Sequence, residues 1–157
     1  TQSPSLTADE TKVYLLFKNC FTHSTIMYRK TEMSKFRFNE KKPVGEDYDI
    51  IVKIASQMKV KNLPEIVGNY RMHNRNITNN KKLPELMHKQ VICNQLNLLG
   101  LHPSKSELNI HLQLRKKTFH SDLGIVIEKV KWLDKLYMGN SRTKYFPEAA
   151  FNKRIFG

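Results

Sequence analysis

The sequence is short of cysteine: Cys20 and Cys93 are the only two in 157 residues, stand far apart and fit no C-x-x-C spacing. That points away from a disulfide framework and from a zinc site, and makes a reducing cytosol the default compartment. Long apolar runs are missing as well, since none approaches the roughly 20 residues that a membrane span needs. The opening "TQSPSLTADETK" has no basic segment followed by an apolar one, so it shows no secretion signal. It begins on Thr1 instead of Met, which suggests a processed or trimmed piece of something longer. Acidic residues are scarce too, with 14 Asp and Glu against 27 Lys and Arg and a formal net charge of +13. The imbalance grows along the chain, from 13 basic against 8 acidic in residues 1 to 80 to 14 against 6 in residues 81 to 157. An excess of that sign favours anionic partners: nucleic acid, an acidic membrane surface or a phosphorylated ligand. No helix-turn-helix, finger or aromatic RNA-binding motif accompanies it, which disfavours nucleic acid.

What is present is a chain with 39% apolar residues, enough to bury a core in one ordinary domain. Thr7 with Glu10 three residues on forms a capping box, and Val13, Leu16 and Phe17 share a helical face, so a helix is expected from about 8 to 18. "THSTIMYRK" is β-branched and aromatic, and Ser24 to Arg29 reads as a short strand. A short turn of helix and a polar loop closed by Pro43 and Gly45 follow. From Glu46 the spacing Ile50, Ile51, Ile54, Ala55, Met58 predicts an amphipathic helix to about residue 58. Its first turn is acidic, as the helix dipole prefers. Residues 60 to 63 and 66 to 72 read as short extended pieces broken by Pro64, which cannot donate to a central ladder. After the polar loop "NRNITNNKK" the spacing becomes helical, with breaks expected at Gly100, Pro103 and Gly139 and a last helix over 147 to 155. The expected class is therefore mixed α/β, about three short strands followed by a helical tail. Sheets average about five or six strands, so further strands are expected upstream of Thr1.

"NCFTHSTIMYRK", "FNEKKPVGEDYDIIVKIA" and "NLPEIVGNYRMHNRNIT", in this order and spacing, resemble the C-terminal part of family 2 glycosyltransferases of the GT-A fold. The resemblance covers about residues 6 to 80, and "WLDKLYMGNSRTKYFPEAAF" looks like the helical extension of bacterial members that build surface polysaccharides. It implies an acceptor-side part of a transferase core over 1-80 and a helical subdomain over 81-157. Asp47 would be the catalytic base in an inverting displacement, and Glu46 would position the acceptor or the sugar hydroxyls. His73 in "YRMH" matches a histidine that helps hold a metal or the donor diphosphate, and Arg71 would meet phosphate charge. His23, Ser24 and Thr25 match the stretch lining the sugar and acceptor pocket. The implied partners are a nucleotide-sugar donor, a saccharide or lipid-linked acceptor and an anionic membrane surface at the inner face. A divalent metal, Mg or Mn, is expected in the full-length enzyme. Nothing in residues 1 to 30 resembles the family's donor-binding half or its Asp-x-Asp metal motif, so this chain alone should bind nucleotide weakly and be inactive.

Each of these residues also has an ordinary reading. Acids in a first helical turn stabilise a helix by about 0.3 to 1 kcal/mol with no further role. Asp49 points about 200° around the helix from Asp47, away from the same pocket, and reads as structural. Arg71 could form an ordinary ion pair, and His23 and His73 could be simple surface histidines. His88, His102, His111 and His120 show no ligand spacing. Ile125, Ile127, Val130, Trp132, Leu133 and Leu136 read as helix packing, and Asn76-Ile77-Thr78 is a glycosylation acceptor only in a secreted protein. The alternative function is a basic nucleic-acid-binding or interaction module without catalysis.

Overall fold

The structure, a computed structural model, describes residues 6–40, 45–69, 71, 82–115 and 122–157. Thr7 opens α1 (Ala8–Tyr14) as the capping box predicts: its hydroxyl accepts from the Glu10 N–H at 3.2 Å, and the Glu10 carboxylate accepts from the Thr7 N–H at 2.9 Å. A 3-10 turn (His23–Thr25) and α2 (Lys30–Met33) lead to α3 (Glu46–Gln57), followed by α4 (Lys82–Leu98) and α5 (Lys105–Gln113). Another capping box, Ser104 with Glu107, starts α5. α6 (Leu123–Thr143) and α7 (Glu148–Phe156) close the chain.

The mixed α/β class, and the GT-A core with it, is overturned: among the described residues there is no strand and no sheet, and the regular elements are helical. Of the expected strand over 24–29, the first two residues belong to the 3-10 turn and the rest carry no strand ladder. The piece over 60–63 and the described residues of 66–72 likewise form no strand. The physical reason is that β-branched and aromatic composition signals a fit to a pleated, half-buried surface, whereas a strand also needs a neighbour to exchange hydrogen bonds with.

Helices from both sides of residue 80 bury side chains in one core, including Val13 and Leu16 near α1, Ile50 of α3, Ile92 of α4, Leu136 of α6 and Phe151 of α7. α1 lies against α7 and α3, α3 against α4, and α6 against α5 and α7. The expected break at Gly139 is also corrected, since α6 runs through it and ends at Lys144, which takes the left-handed conformation (φ 54°). A Cβ on Gly139 would stand 3.0 Å from the Leu99 carbonyl oxygen, so this glycine serves the close approach of α6 to the end of α4. The next residue, Asn140, ties down the loop before α7. Its amide nitrogen donates to the Phe146 carbonyl at 3.1 Å and its oxygen accepts from the Phe146 N–H at 2.8 Å.

Candidate functional site

The site is built on the first turn of α3. Gly45 precedes it with φ 81°, a left-handed conformation that glycine adopts without steric penalty, and a Cβ there would meet Met87 Cβ at 3.0 Å. Tyr48 then points into the core, where its hydroxyl donates to the Leu15 carbonyl. The Gln95 amide donates to the same oxygen at 3.0 Å. Both therefore satisfy a carbonyl just past the end of α1, where helical partners run out. The next carbonyl, Leu16, is met by His111 Nε2 at 3.0 Å, while the Trp132 indole N–H donates to His111 Nδ1 at 3.1 Å. That pair of bonds assigns the imidazole proton to Nε2. Burial drives the His111 pKa down to about 4, against a smaller opposing effect of the Leu16 hydrogen bond, so the ring is neutral. The Phe17 ring stacks on it with centroids 4.9 Å apart. Side chains of three helices thus fix the end of α1 and, through Tyr48, the start of α3.

Asp47 is thereby presented from a held backbone. Its Oδ1 accepts from the Tyr48 N–H at 2.7 Å. Glu46 is half-buried, and its Oε2 has no hydrogen-bond partner; the buried Tyr28 hydroxyl has none either. Asp49 turns the other way, as the helical geometry predicts, is buried, and pairs with Lys53 at 2.7 Å.

Two further residues approach Asp47, and sequence reasoning missed both. Burial raises the Tyr28 pKa, and the Asp47 charge raises it further. Burial lowers the His88 pKa, while Asp47 opposes the shift. The His88 ring meets Tyr48 edge-on at 5.3 Å, and its Cδ2 would lie 3.6 Å from a Cβ on Gly45. His88 is thus packed against the same turn that carries Asp47. Its position carries no sequence signal, because the neighbourhood exists only once α4 folds back on α3; Tyr28 lies in the segment matched to the pocket.

Against the later turns of α3 lies a cleft of about 920 Å³ whose lining includes Ser24, Thr25 and Tyr28 on one side and Ile51 and Ile54 of α3; neither Glu46 nor Asp47 lines it. Arg29, Lys59 and Lys61 also line it, against Glu32 and Glu65, so it can take a polar, partly anionic molecule over an apolar floor. The segments on its two sides nearly touch, since a Cβ on Gly68 would stand 3.3 Å from Thr25 Cγ2. Tyr28 lines the cleft and also stands within electrostatic reach of Asp47.

Of the residues singled out from the sequence, Glu46 and Asp47 share the first turn of α3, and Ser24 and Thr25 line the cleft. His23 is exposed, does not line the cleft and packs edge-on against Phe38 with ring centroids 5.9 Å apart. Arg71 is exposed, and His73 lies outside the described residues. Among the described residues no three His, Cys, Asp or Glu side chains are grouped to hold a metal ion. The expected Mg or Mn therefore has no ligand set among the described residues.

Comparison with known proteins gives one informative likeness. The chain is 33% identical over 102 residues to the O-antigen biosynthesis glycosyltransferase WbnJ of Escherichia coli. The likeness covers 54% of this chain and 38% of that protein, so the chain spans well under half of its relative. No family model matches, and no solved structure does.

Proposed function

We propose that the chain carries the base-bearing part of a family 2-like, inverting glycosyltransferase of cell-surface polysaccharide synthesis. The observation that carries this reading is the Asp47 carboxylate, set at the start of α3 by the core-anchored Tyr48 and within electrostatic reach of Tyr28, which lines the polar cleft. The likeness to an O-antigen glycosyltransferase supports it. In this reading the acceptor, a saccharide or lipid-linked saccharide, lies in the cleft near Ser24 and Thr25. Its hydroxyl oxygen attacks the anomeric carbon of a nucleotide sugar, and Asp47 takes the hydroxyl proton. The bond from that carbon to the diphosphate breaks, and the nucleoside diphosphate leaves with the electron pair. A carboxylate suits the task within about 2.6 to 3.2 Å of the hydroxyl, and the α3 N-terminus favours its charged form. Glu46 orients the acceptor, while Arg71 and His73 meet the donor diphosphate; His23 at the outer edge contacts the sugar. A divalent ion, Mg or Mn, would neutralise leaving-group charge when bound. Residues 1-80 hold this acceptor side and residues 81-157 form the helical part. No described helix is long and apolar enough to cross a membrane; in this reading the basic second half faces the anionic inner surface of one.

The test is transfer of labelled sugar from a panel of nucleotide sugars to lipid-linked acceptor extracts by the protein at its native length. Asp47→Asn should lower the rate by about 10² to 10⁴ with unchanged thermal unfolding, the usual contribution of a positioned base. An equally active Asp47→Asn variant would overturn the reading. The nucleic-acid alternative would be favoured instead by salt-sensitive binding of oligonucleotides in a gel-shift titration.

A further inference from the structure

The cleft against α3 holds one unfinished contact. Tyr28 lines it, with a side chain packed partly against the core. Its hydroxyl is buried without a hydrogen-bond partner, and among the described residues no other cleft-lining side chain has a buried polar atom in that state. Neighbouring polar groups of the lining are already used by the fold. The Thr25 hydroxyl donates to the Thr22 carbonyl at 2.8 Å, and the Asn62 amide donates to the Cys20 carbonyl at 3.3 Å. Tyr48 shows what this fold does with a structural phenol, since its hydroxyl donates to the Leu15 carbonyl in the core. A buried hydroxyl left alone destabilises the fold that carries it, so the one on Tyr28 calls for a partner that the chain itself does not supply.

We infer that Tyr28 is an acceptor-contacting residue of the sugar-transfer site, its hydroxyl bonding a ring hydroxyl of the acceptor saccharide in the cleft. The inference rests on the transferase reading above and adds to it a residue and a substrate contact. The chemistry fits a sugar. A phenol both donates and accepts, as a sugar hydroxyl does, and its ring, with Ile51 and Ile54 in the same lining, gives an apolar wall for the C–H face of a pyranose. The position fits as well, because neither Glu46 nor Asp47 lines the cleft, whereas Tyr28 does and stands within electrostatic reach of Asp47. Burial, and after it the Asp47 charge, hold the phenol pKa above its usual value. At neutral pH the group is therefore protonated and able to donate. A sugar hydroxyl that accepts from it is held at the cleft wall within reach of the charge on the base.

The experiment compares the wild type with Tyr28→Phe, which removes one oxygen and keeps the ring. Sugar transfer by the protein at its native length is measured at saturating nucleotide sugar while the lipid-linked acceptor extract is titrated, and melting is followed by circular dichroism. The expected result is an apparent acceptor KM raised roughly three- to tenfold, the worth of one neutral hydrogen bond, with the donor KM unchanged. The melting temperature should hold or rise, because the variant loses a hydroxyl that has no partner in the free protein. An unchanged acceptor KM leaves that oxygen to ordered water and overturns the inference. A lower melting temperature with an unchanged acceptor KM assigns the hydroxyl to the fold and overturns it too. If Asp47→Asn is fully active while Tyr28→Phe still raises the acceptor KM, the base falls and the Tyr28 contact stands. Absence of wild-type transfer from every donor in the panel overturns both.

Discussion

Acid should loosen this protein through His111 well before the carboxylates of Glu10 and Glu107 titrate. The unfolded ring titrates near 6.5 and the folded ring near 4, because burial among Phe17, Trp132 and the end of α1 excludes the charged form. Arg115 and Arg154 push in the same direction. A folded pKa below the unfolded one means that the unfolded chain binds the proton first as pH falls. The stability due to the neutral ring is complete above about pH 6.5 and is lost progressively toward pH 4. At about pH 5 the loss is about 2 kcal/mol, from 1.36 kcal/mol per unit over about 1.5 pH units. The depressed carboxylates of Glu10 and Glu107, with pKa values of about 2, weaken the fold only at lower pH. His88, also lowered by burial, adds a contribution of the same sign, so His88→Gln serves as the control. The assay is urea unfolding at about pH 7.5 and about pH 5, followed by the fluorescence of Trp132, the chain's single tryptophan. His111→Gln keeps a group that can donate and accept but cannot titrate. It should be less stable at neutral pH and should lose about 2 kcal/mol of the difference between the two conditions. An identical difference in wild type and His111→Gln would refute the reasoning.

Two other outcomes follow from single positions. Gly45→Ala puts a side chain on a left-handed residue against Met87 and should lower stability by roughly 1 to 3 kcal/mol, read as a lower melting temperature in circular dichroism; an unchanged melt would contradict the assigned turn. Asn140→Ala leaves both the N–H and the carbonyl of Phe146 buried without their partner and should cost roughly 2 to 4 kcal/mol by denaturant titration, a loss below about 0.5 kcal/mol being the refuting result.

Helices were legible where the deciding interactions are local. Thr7 and Glu10 sit three residues apart, so their reciprocal hydrogen bonds follow from the sequence pattern and are found in the structure. The same holds for α3, where the apolar spacing marks the buried face and places Asp49 away from Asp47. Strands were not legible in that sense. The composition of Ser24 to Arg29 describes a surface, while a ladder depends on a neighbour that may stand anywhere in the chain, and none pairs with it among the described residues. Gly139 failed for a related reason: its lack of a side chain was read as a local weakness, but what it answers to is the Leu99 carbonyl forty residues earlier.

The candidate site divides along the same line. The placing of Glu46 and Asp47 in the first turn of α3 was legible because an acidic helix start is a one-helix feature, while their role came from the resemblance; Tyr28 lay in a segment already matched to the pocket. His88 was passed over because ligand spacing is a test of sequence, whereas its approach to Asp47 is made by α4 crossing the start of α3. Burial is what gives that approach consequence. With the Tyr48 phenol anchored on the Leu15 carbonyl, the backbone of Asp47 cannot swing away from Tyr28 and His88 without breaking a buried hydrogen bond, which would leave a core oxygen to Gln95 alone. The acids of α3 are therefore held by the same contacts that close the core. A change at Tyr48 or Gln95 should disturb the geometry at Asp47 before it unfolds the chain.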